Sequence, residues 1–573
     1  MADPRAVAHI KRGETLFTDL SLWLPTWQDL SDLICVRKNS IQVRKSPGRT
    51  NTERLLDSTA PHALELLAAS MQGSLTSGSI KWFYYRLRGL LYGTDTEADK
   101  WLDDASDTAY DELRTSNWSS ETHEFYTDLA CIGTAAMFID RKESKPGQPW
   151  QGLRFQTLPP GTYAIDENDE GRVDTLYYKY RKTARQAAQA FGMEALPEQI
   201  KKALIEGREP DRSYEFIHAI FPRTDRWRDA GATATAGKDK PWASLHIAVE
   251  DPTICREGGY EEFPFAVARW TKSSDEKYGR SPGFTMLADI KTLNKLVELK
   301  LRALANKVYP PLMVRDNGVL GKVMLKPGGL TIVRDHEAVQ PLFTDQGGIE
   351  AGMLQEEKLQ AAVRRGFFSD QLQLQEGPQM TAYEVQVRYE LMQRILGPTL
   401  GRLEIEFLGP VNMRVYKLLE RAKRIPEPPA SLVEKMKELG RGFEIEYEGP
   451  LQRAQRLGDV VTIQRFLQLV LPLVEADPEV LDNVDIDEIA RVAAKNTGVP
   501  ARIIRAIQDR DKRRQERRAQ QAQQQQAVQG QETAKAAGAA APALKALMEA
   551  QQAGILPQGG LSGQGAVTGG VGR

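Results

Sequence analysis

A long apolar stripe with helical spacing constrains the fold more than any other feature of this sequence. Its members follow one another in steps of four and three residues, which places them on one side of an α-helix: Met286, Ile290, Leu293, Val297, Leu301, Leu304 and Val308. Such a helix would be about 35 Å long at 1.5 Å per residue. Leu296 and Leu299 lie off the stripe. We therefore expect the helix to pack between more than one neighbour, and we expect these two leucines to lie at an interface between subunits.

The five residues at the start of this helix allow two interpretations. Gly279-Arg280-Ser281-Pro282-Gly283 matches the G-x-S-x-G pattern of serine hydrolases, in which Ser281 would be the nucleophile. In those enzymes the backbone N–H after the serine helps to form the oxyanion hole, and Pro282 has no N–H. A polar loop also separates the pattern from the nearest predicted strand, residues 265–270. We therefore favour Ser281 as a helix cap with Pro282 in the first turn, and keep a hydrolase as the remote alternative.

Composition excludes several classes of protein. The chain has 573 residues, and its 76 Lys and Arg against 77 Asp and Glu give a net charge of -1, which argues against a tight nucleic-acid binder covered in basic charge. Cys35, Cys131 and Cys255 are isolated, which indicates a reducing compartment. Neither a membrane-spanning run nor a signal peptide is recognisable. We expect a soluble protein that is made in a cytoplasm and has no membrane partner.

No motif predicts catalysis or metal binding. The six histidines are scattered, without helical ligand spacing and without neighbouring cysteine pairs. The loop at residues 231–240 resembles a phosphate-binding loop, but Gly231 is one residue too far from Gly237-Lys238 and Asp239 replaces the hydroxyl residue. The acidic residues 485–488 open a predicted helix, where they suit the positive end of its dipole better than a cation. We expect no enzyme activity, no cofactor and no metal.

Alternating short elements predict a mixed α+β body up to about residue 270. A helix is expected over residues 59–73, and strands are expected in AAMFID, LRFQTL, TLYYKY, YEFIHAIF, SLHIAV and FAVARW. After the long helix, residues 309–347 contain three strand-like runs, LMVRDNG, KVMLKPGG and LTIVRD. A second helix is expected over residues 348–368, and a polar loop over residues 369–380.

The last third of the chain reads as helices with defined interruptions. Thr381 and Glu384 form a capping box for a long helix, which Gly397-Pro398 and Gly409-Pro410 should kink or break. IPEPPAS stops it, FEIEYEGP predicts a strand that returns to the body, and two or three helices follow. From about residue 519 the sequence is rich in Gln, Ala and Gly and cannot bury enough apolar surface to fix one structure. We expect residues 510–573 to be a charged and then Gln/Ala/Gly-rich tail, either disordered or a barrel-like helix.

Several segments, in order, resemble the portal proteins, or head-to-tail connectors, of short-tailed bacteriophages. The resemblance covers residues 51–509, and the segments that carry it are ERLLDSTAPHALELLAASMQGSLT followed by KWF, GRVDTLYYKYRKTARQAAQAFG, FPFAVARW followed by YGRSPG, LADIKTLN, and MTAYEV followed by RILGPTLGRLEIEFLGP. Ser77 stands where the family usually has Pro, and Tyr383 where a small hydroxyl residue is common. These departures concern local turns.

The resemblance implies an α+β subunit of several regions that assembles into a ring, usually of twelve subunits. The implied regions are an α/β wing (1–281), a first stem helix (282–308), a β-containing clip (309–347), a second stem helix (348–368), a tunnel loop (369–380), a long kinked wing helix (381–427), a return strand with a helical crown (428–509), and the tail (510–573). Residues 279–283 would then be the turn from wing to stem.

The implied function is a conduit at one capsid vertex for packaging and ejection of double-stranded DNA. The implied partners are further copies of the chain, the DNA, which is contacted without sequence specificity, the terminase large subunit, tail adaptor proteins, and the major capsid and scaffold or internal core proteins. The implied location is the virion, after assembly in the host cytoplasm. A ring-forming tail adaptor or another capsid protein is the alternative.

Three groups of residues are candidates for these contacts. The candidate DNA contacts are Lys291, Lys295 and Arg302 on the face opposite the apolar stripe, and Gln371, Gln373 and Gln375 in the tunnel loop. The three cations equally suit a solvated face, on which they pair with Glu298 or with acids of a neighbouring subunit. The candidate docking residues of the clip are Arg315, Asp316, Asn317 and Lys322.

Overall fold

The computed structural model describes most of the chain up to residue 447 and several helices beyond it. The described residues are 3–38, 40–42, 54–78, 81–87, 96–142, 150–205, 210–223, 240–309, 311–315, 319–320, 322–324, 330–334, 337–341, 348–372, 397, 399–440, 442–447, 460, 462–470, 472, 484–497, 509–526 and 545.

The part of the chain before residue 133 is mainly helical. Its helices are α1 (Pro4–Ser21), α2 (Leu24–Leu33), α3 (Thr59–Leu75), α4 (Thr96–Thr115) and α5 (Trp118–Ile132), with one strand, β1 (Phe83–Arg86). The Asp3 carboxylate caps α1 by accepting a hydrogen bond from the backbone N–H of Arg5 at 2.9 Å, and Pro4 occupies the first turn. The predicted helix at residues 59–73 is confirmed as α3.

Two antiparallel sheets form most of the β part of the body. One sheet has the order β3-β2-β9, and the other has the order β4-β5-β6-β7-β8. The strands are β2 (Thr134–Arg141), β3 (Leu153–Thr157), β4 (Tyr163–Glu167), β5 (Val173–Thr183), β6 (Ser213–Pro222), β7 (Trp242–Ala248), β8 (Thr253–Tyr260) and β9 (Phe265–Arg269). Helices α6 (Ala184–Phe191) and α7 (Glu198–Ile205) lie between β5 and β6 in the chain. All six predicted strands are confirmed, whereas β4 and β8 were not predicted.

An aromatic cluster joins the helices to the sheets in the core. The rings of Phe125 and Phe407 stack with their centroids 3.9 Å apart, and Trp118 packs against Phe407 and against Phe155 on β3. All four side chains are buried. Because Phe407 lies far along the chain from the others, this cluster ties the later helices to the body.

A helical hairpin leaves the body after β9. Its first helix, α8, spans Pro282–Val308, as predicted, and its second, α9, spans Gly348–Gly366. Between them β10 (Leu312–Val314) pairs antiparallel with β11 (Val339–Pro341), and Val319 bridges Val333. The predicted strands KVML and LTIV are wrong for residues 322–324 and 330–332, which lie outside any strand.

The segment after α9 differs from the predicted loop. Residues Ser369–Leu372 form a short helix, α10, and Ser369 Oγ donates a hydrogen bond to the Arg364 carbonyl at 2.9 Å. Helix α9 ends two residues earlier than predicted because Phe368 adopts a left-handed conformation, with φ of 59°. Thr381 and Glu384, the predicted capping box, lie outside the described residues.

The predicted break at Gly409-Pro410 is accommodated inside a continuous helix. Residues Glu404–Leu408 form a π-helical segment that leads directly into α11 (Gly409–Arg421). The Gly409 N–H donates to the Glu404 carbonyl, five residues back. A wider turn at this point separates the Pro410 ring from the preceding carbonyls, so the helix continues.

The return to the body and the later helices follow the sequence pattern. After α11 the chain has no helix until α12 (Ala430–Glu438), so the IPEPPAS stop is confirmed. Strand β12 (Glu444–Tyr447) then pairs with β1 and confirms the returning strand. Helix α13 (Ile486–Thr497) begins after Asp485, whose carboxylate accepts from the backbone N–H groups of Asp487 and Glu488 at 3.0 Å. Residues 509–526 are helical, so the start of the tail follows the helical one of the two predicted alternatives.

Candidate functional site: the α8–α9 hairpin

The base of the hairpin explains the G-x-S-x-G pattern. The Ser281 side chain caps α8, donates a hydrogen bond to the Cys131 carbonyl at 2.5 Å, and is only 3% exposed. A Cβ at Gly283 would lie 2.9 Å from that same carbonyl oxygen, and the Gly279 N–H donates to Thr134 Oγ1 at 2.8 Å. The two glycines therefore allow the chain to pass closely over the junction of α5 and β2, and the serine holds it there. The hydroxyl does not face solvent as a nucleophile would.

The half of the hairpin next to the body is packed and polar groups fix its position. The Asn294 side-chain oxygen accepts from the backbone N–H groups of Leu56 and Asp57, at 2.9 and 3.3 Å. Gln360 on α9 donates to the Asp57 carboxylate at 2.8 Å. Gly366 lies against the Met286 side chain so closely that any Cβ would overlap it. The two helices are thus held at the body end by contacts from both.

The distal half of α8 leaves the apolar stripe uncovered. Ile290, Leu293 and Val297 are buried, whereas Leu301 is 49% and Val308 is 70% exposed. Leu299 is 52% exposed and Leu296 is half-buried, and on α9 Met353 and Leu354 are also exposed. A partly buried ion pair between Lys300 and Glu356 joins the two helices at this level. Within the described chain, these apolar side chains have too little neighbouring surface to cover them.

The three candidate cations of α8 each contact an acid in the isolated chain. Lys291 Nζ lies 2.6 Å from Asp29 Oδ2 on α2, Lys295 Nζ lies 2.9 Å from Glu298, and Arg302 also pairs with Glu298. The hydrogen bond from Lys295 lowers the pKa of Glu298 from its usual value. All three cations remain exposed. The arrangement is a weakly positive face in which two carboxylates offset three cations.

The tip of the hairpin is exposed and carries both charge and apolar side chains. Arg315 lies 3.5 Å from Glu337, and Lys322 is exposed. Met313, Leu320 and Leu330 are exposed around the β10–β11 pair. The other predicted docking residues, Asp316 and Asn317, lie outside the described residues. Of the predicted loop glutamines, Gln371 lies on α10, and Gln373 and Gln375 lie outside the described residues.

A buried ionic network lies behind the hairpin and was not predicted from the sequence. Arg269, at the end of β9, is 2% exposed and pairs with Glu167 and with Glu406, the latter at 2.7 Å. Lys272 also contacts Glu167, at 2.7 Å. The network ties β9, β4 and the π-helical segment together. The available signal was the single Arg in the apolar run FAVARW, which needs an acidic partner when it is buried.

A second buried arginine joins α11 to the sheets. Arg414 contacts Glu262 at 2.6 Å and lies over the Tyr260 ring. Although burial favours the neutral acid, Arg421 and Arg414 together hold the pKa of Glu262 below its usual range. This contact ties α11 to the segment between β8 and β9.

Within the described ranges, the His, Cys, Asp and Glu side chains form no group of three or more that could hold a metal ion. Among the described helices, none is long and apolar enough to cross a membrane. The three cysteines are buried and free.

Comparison with known proteins decides the family. A model of the family described as bacteriophage head to tail connecting protein matches residues 8–504. The chain belongs to this family. The connector is 28% identical over 506 residues to the probable portal protein of Bordetella phage BPP-1, covering 86% of this chain and 88% of that protein. It is 25% identical over 514 residues to the portal protein of Salmonella phage epsilon15, covering 87% and 88%.

A further relative and a set of solved structures are more distant. The portal protein of Escherichia phage T7 is 20% identical over 344 residues, which covers 58% of the connector and 60% of that protein. A chain from the neck of a native GTA particle computed with C12 symmetry has a TM-score of 0.33 and 10% identity, and covers 71% of the connector and 86% of that chain. Together the family and its curated relatives identify a phage portal protein, a structural connector of the virion between head and tail.

Proposed function

We propose that the connector assembles into a closed ring of twelve subunits at one capsid vertex. This ring conducts double-stranded DNA during packaging and ejection. The family match over residues 8–504 carries this proposal. It implies the regional roles set out from the sequence: wing, two stem helices, clip, tunnel loop, crown and tail.

The uncovered half of the hairpin supports assembly into a ring. Leu299, Leu301 and Val308 expose large apolar surface on α8, and removing such surface from water favours association. A neighbouring subunit that packs its own hairpin alongside would cover these side chains. Repeating the same contact around an axis closes a ring, because head-to-tail interfaces close when the rotation allows it.

The charge of the stem supports a channel that does not grip DNA. Duplex DNA carries one negative charge per roughly 1.7 Å of its axis, so a continuous basic lining would bind it and stall its passage. In the proposed channel, Lys291, Lys295 and Arg302 form weak cationic rings whose charge Asp29 and Glu298 reduce. Residues 369–380, with Gln371, Gln373 and Gln375, supply uncharged polar contacts.

Replacing Lys291, Lys295 and Arg302 together by Gln tests the channel role. We expect rings of normal size that package less DNA or retain it less well, because the centring charge is lost. The measurement is the length of DNA in particles built with the variant. A matched control replaces Lys11, Lys142 and Arg172, which are exposed on the wing, and should package normally. Normal packaging by the stem variant would leave the tunnel loop as the only supported contact and would refute the role of these three cations.

The tip of the hairpin is the proposed docking site for the terminase large subunit during filling and for tail adaptor proteins afterwards. Its exposed apolar and charged groups, among them Arg315 and Lys322, support this role together with its position farthest from the body contacts of the hairpin. The two partners would exclude each other there. Deleting residues 316–322 should leave rings intact and abolish packaging or tail attachment, and infectious particles from that variant would refute the proposal.

The remaining proposed partners follow from position. The wing would contact the major capsid protein and the scaffold or internal core proteins, and assembly would take place in the host cytoplasm before incorporation at the unique vertex. Buried Ser281 disfavours the hydrolase alternative, because its hydroxyl is held by the Cys131 carbonyl.

A further inference from the structure

One-sided positive charge distinguishes the helix at residues 509–526 from the other described helices. Residues 509–518 contain six Lys and Arg against three Asp and Glu. At 100° per residue, the five arginines fall within about 140° of the helix surface, and the three acids fall outside that arc. The arginines of this stripe are Arg510, Arg513, Arg514, Arg517 and Arg518.

Such a stripe opposes the stability of the helix that carries it. Arg513 and Arg517 are four residues apart, as are Arg514 and Arg518, and like charges at this spacing repel each other. On α8, by contrast, Glu298 is interleaved with Lys295 and Arg302 and pairs with both. The arginine stripe therefore differs from an ordinary solvated helix face, and an external anion would stabilise it.

One carboxylate on α13 neutralises part of the stripe and fixes its position. Asp487 accepts hydrogen bonds from Arg510 at 2.8 Å and from both terminal nitrogens of Arg514, at 2.6 and 2.8 Å. Arg513, Arg517 and Arg518 are exposed, and the described part of the chain records no ion pair for them. Three guanidinium groups are thus available on a helix that Asp487 attaches to α13.

We infer that Arg513, Arg517 and Arg518 bind the phosphate backbone of duplex DNA outside the channel. The inference rests on the proposed function, because that function brings duplex DNA to the ring. Guanidinium groups bind phosphate oxygens in a bidentate manner, and such contacts carry no sequence information. The helix continues through residues 519–526 with Gln and Ala only, so no acid there repels phosphate. A line of such contacts would hold DNA against the outer surface without obstructing the conduit.

Binding of a covalently closed circular duplex reports on this surface and not on the channel, because a closed circle cannot thread a closed ring. The experiment uses rings of the full chain and measures binding of the circle at increasing salt. Replacing Arg513, Arg517 and Arg518 together by Gln should weaken binding and make the slope of log affinity against log salt shallower by about 0.9 for each arginine that contacts phosphate. The control replaces Arg114, Arg172 and Arg185, which are exposed on the wing, and should bind the circle like the wild type.

A second variant should act in the opposite direction. Asp487→Asn removes the carboxylate partner of Arg514 and leaves Arg510 paired only with Asp511. Rings of this variant should therefore bind the circle more tightly and with a steeper salt dependence. Wild-type rings that bind no circular duplex would overturn the inference. So would a triple variant whose log affinity falls with log salt as steeply as that of the wild type. Rings that prefer polyglutamate to DNA of equal charge would also overturn it. A chain that forms no rings would instead refute the proposed function.

Discussion

At the scale of single residues, close contacts between backbone segments explain why small residues occupy positions 279 and 283. The pattern at residues 279–283 is shared with hydrolases because both need small residues at a sharp turn into a helix. Here Gly133, with φ of 91°, lies against the backbone of residues 279–281, and a Cβ there would lie 2.6 Å from the Gly279 carbonyl oxygen. The capping role of Ser281 was predictable from Pro282. The packing partner across the junction was not, because it is distant in sequence.

Gly279→Ala should destabilise the connector by about 1–3 kcal/mol, because its Cβ would overlap the Gly133 carbonyl and press on Arg269. Chemical denaturation measures the change. Gly73→Ala is the matched control: a Cβ at Gly73 has no atom within 4 Å, and alanine favours a helix interior by roughly 0.5–1 kcal/mol. Equal stability of the two variants would contradict the proposed packing.

A stacked pair of histidines in the five-stranded sheet gives the stability of the body a pH dependence. The rings of His218 and His246 stack with centroids 3.9 Å apart, and His218 bonds to Ser244 at 2.9 Å. Burial, with a contribution from Arg256, lowers the pKa of His218 to about 3, and burial also lowers the pKa of His246. In the unfolded chain both histidines take up a proton near the ordinary histidine pKa of about 6.5, whereas in the folded chain they stay neutral at that pH. The stability that depends on the neutral histidines is therefore present above about pH 6.5 and is lost as the pH falls toward the pKa of the folded state.

His218→Gln should therefore reduce the loss of unfolding free energy between about pH 7 and pH 5.5 by about 1 kcal/mol. Denaturation curves of wild type and variant at the two pH values give the comparison. A variant whose stability falls with acid as steeply as that of the wild type would show that His218 is not held neutral in the fold.

At the scale of elements, periodic helices and alternating strands were predictable, and elements fixed by tertiary contacts were not. The apolar stripe and the Ser-Pro start gave α8 its correct bounds, and FEIEYEGP was recognised as a strand although its partner β1 lies some 360 residues away. The π-helical segment was missed because it depends on how Pro410 is accommodated. Helix 509–526 matches the helical one of the two alternatives for the tail, and Asp487 supplies ion pairs to it that the composition does not reveal.

The hairpin prediction belongs to this scale. Leu299→Asp should weaken or abolish assembly, because it places a charge on the apolar surface that a neighbouring subunit is proposed to cover. Light scattering after gel filtration gives the particle mass. Ile205→Asp is the control and should assemble normally, since Ile205 is 75% exposed at the end of α7 and outside the hairpin. Normal assembly of the Leu299 variant would show that this face of α8 is not an interface.

At the scale of the whole molecule, the subunit combines a well-packed body with a hairpin that is packed only at its base. The body is tied together by the aromatic cluster at Phe407 and by the buried Arg269 network, so it can hold the hairpin in a fixed direction. The distal half of α8 and α9 keeps its apolar side chains exposed in the single chain. The net charge of -1 suits a conduit for a polyanion. These features agree with a subunit whose fold is completed by its neighbours.

Electron microscopy of the purified full-length chain tests the central claim most directly. We predict closed rings with a central opening wide enough to admit a DNA duplex. The α8–α9 hairpins of adjacent subunits should be packed around that opening. Particles that stay monomeric at high concentration and low salt, or rings whose hairpins point away from the axis, would contradict it.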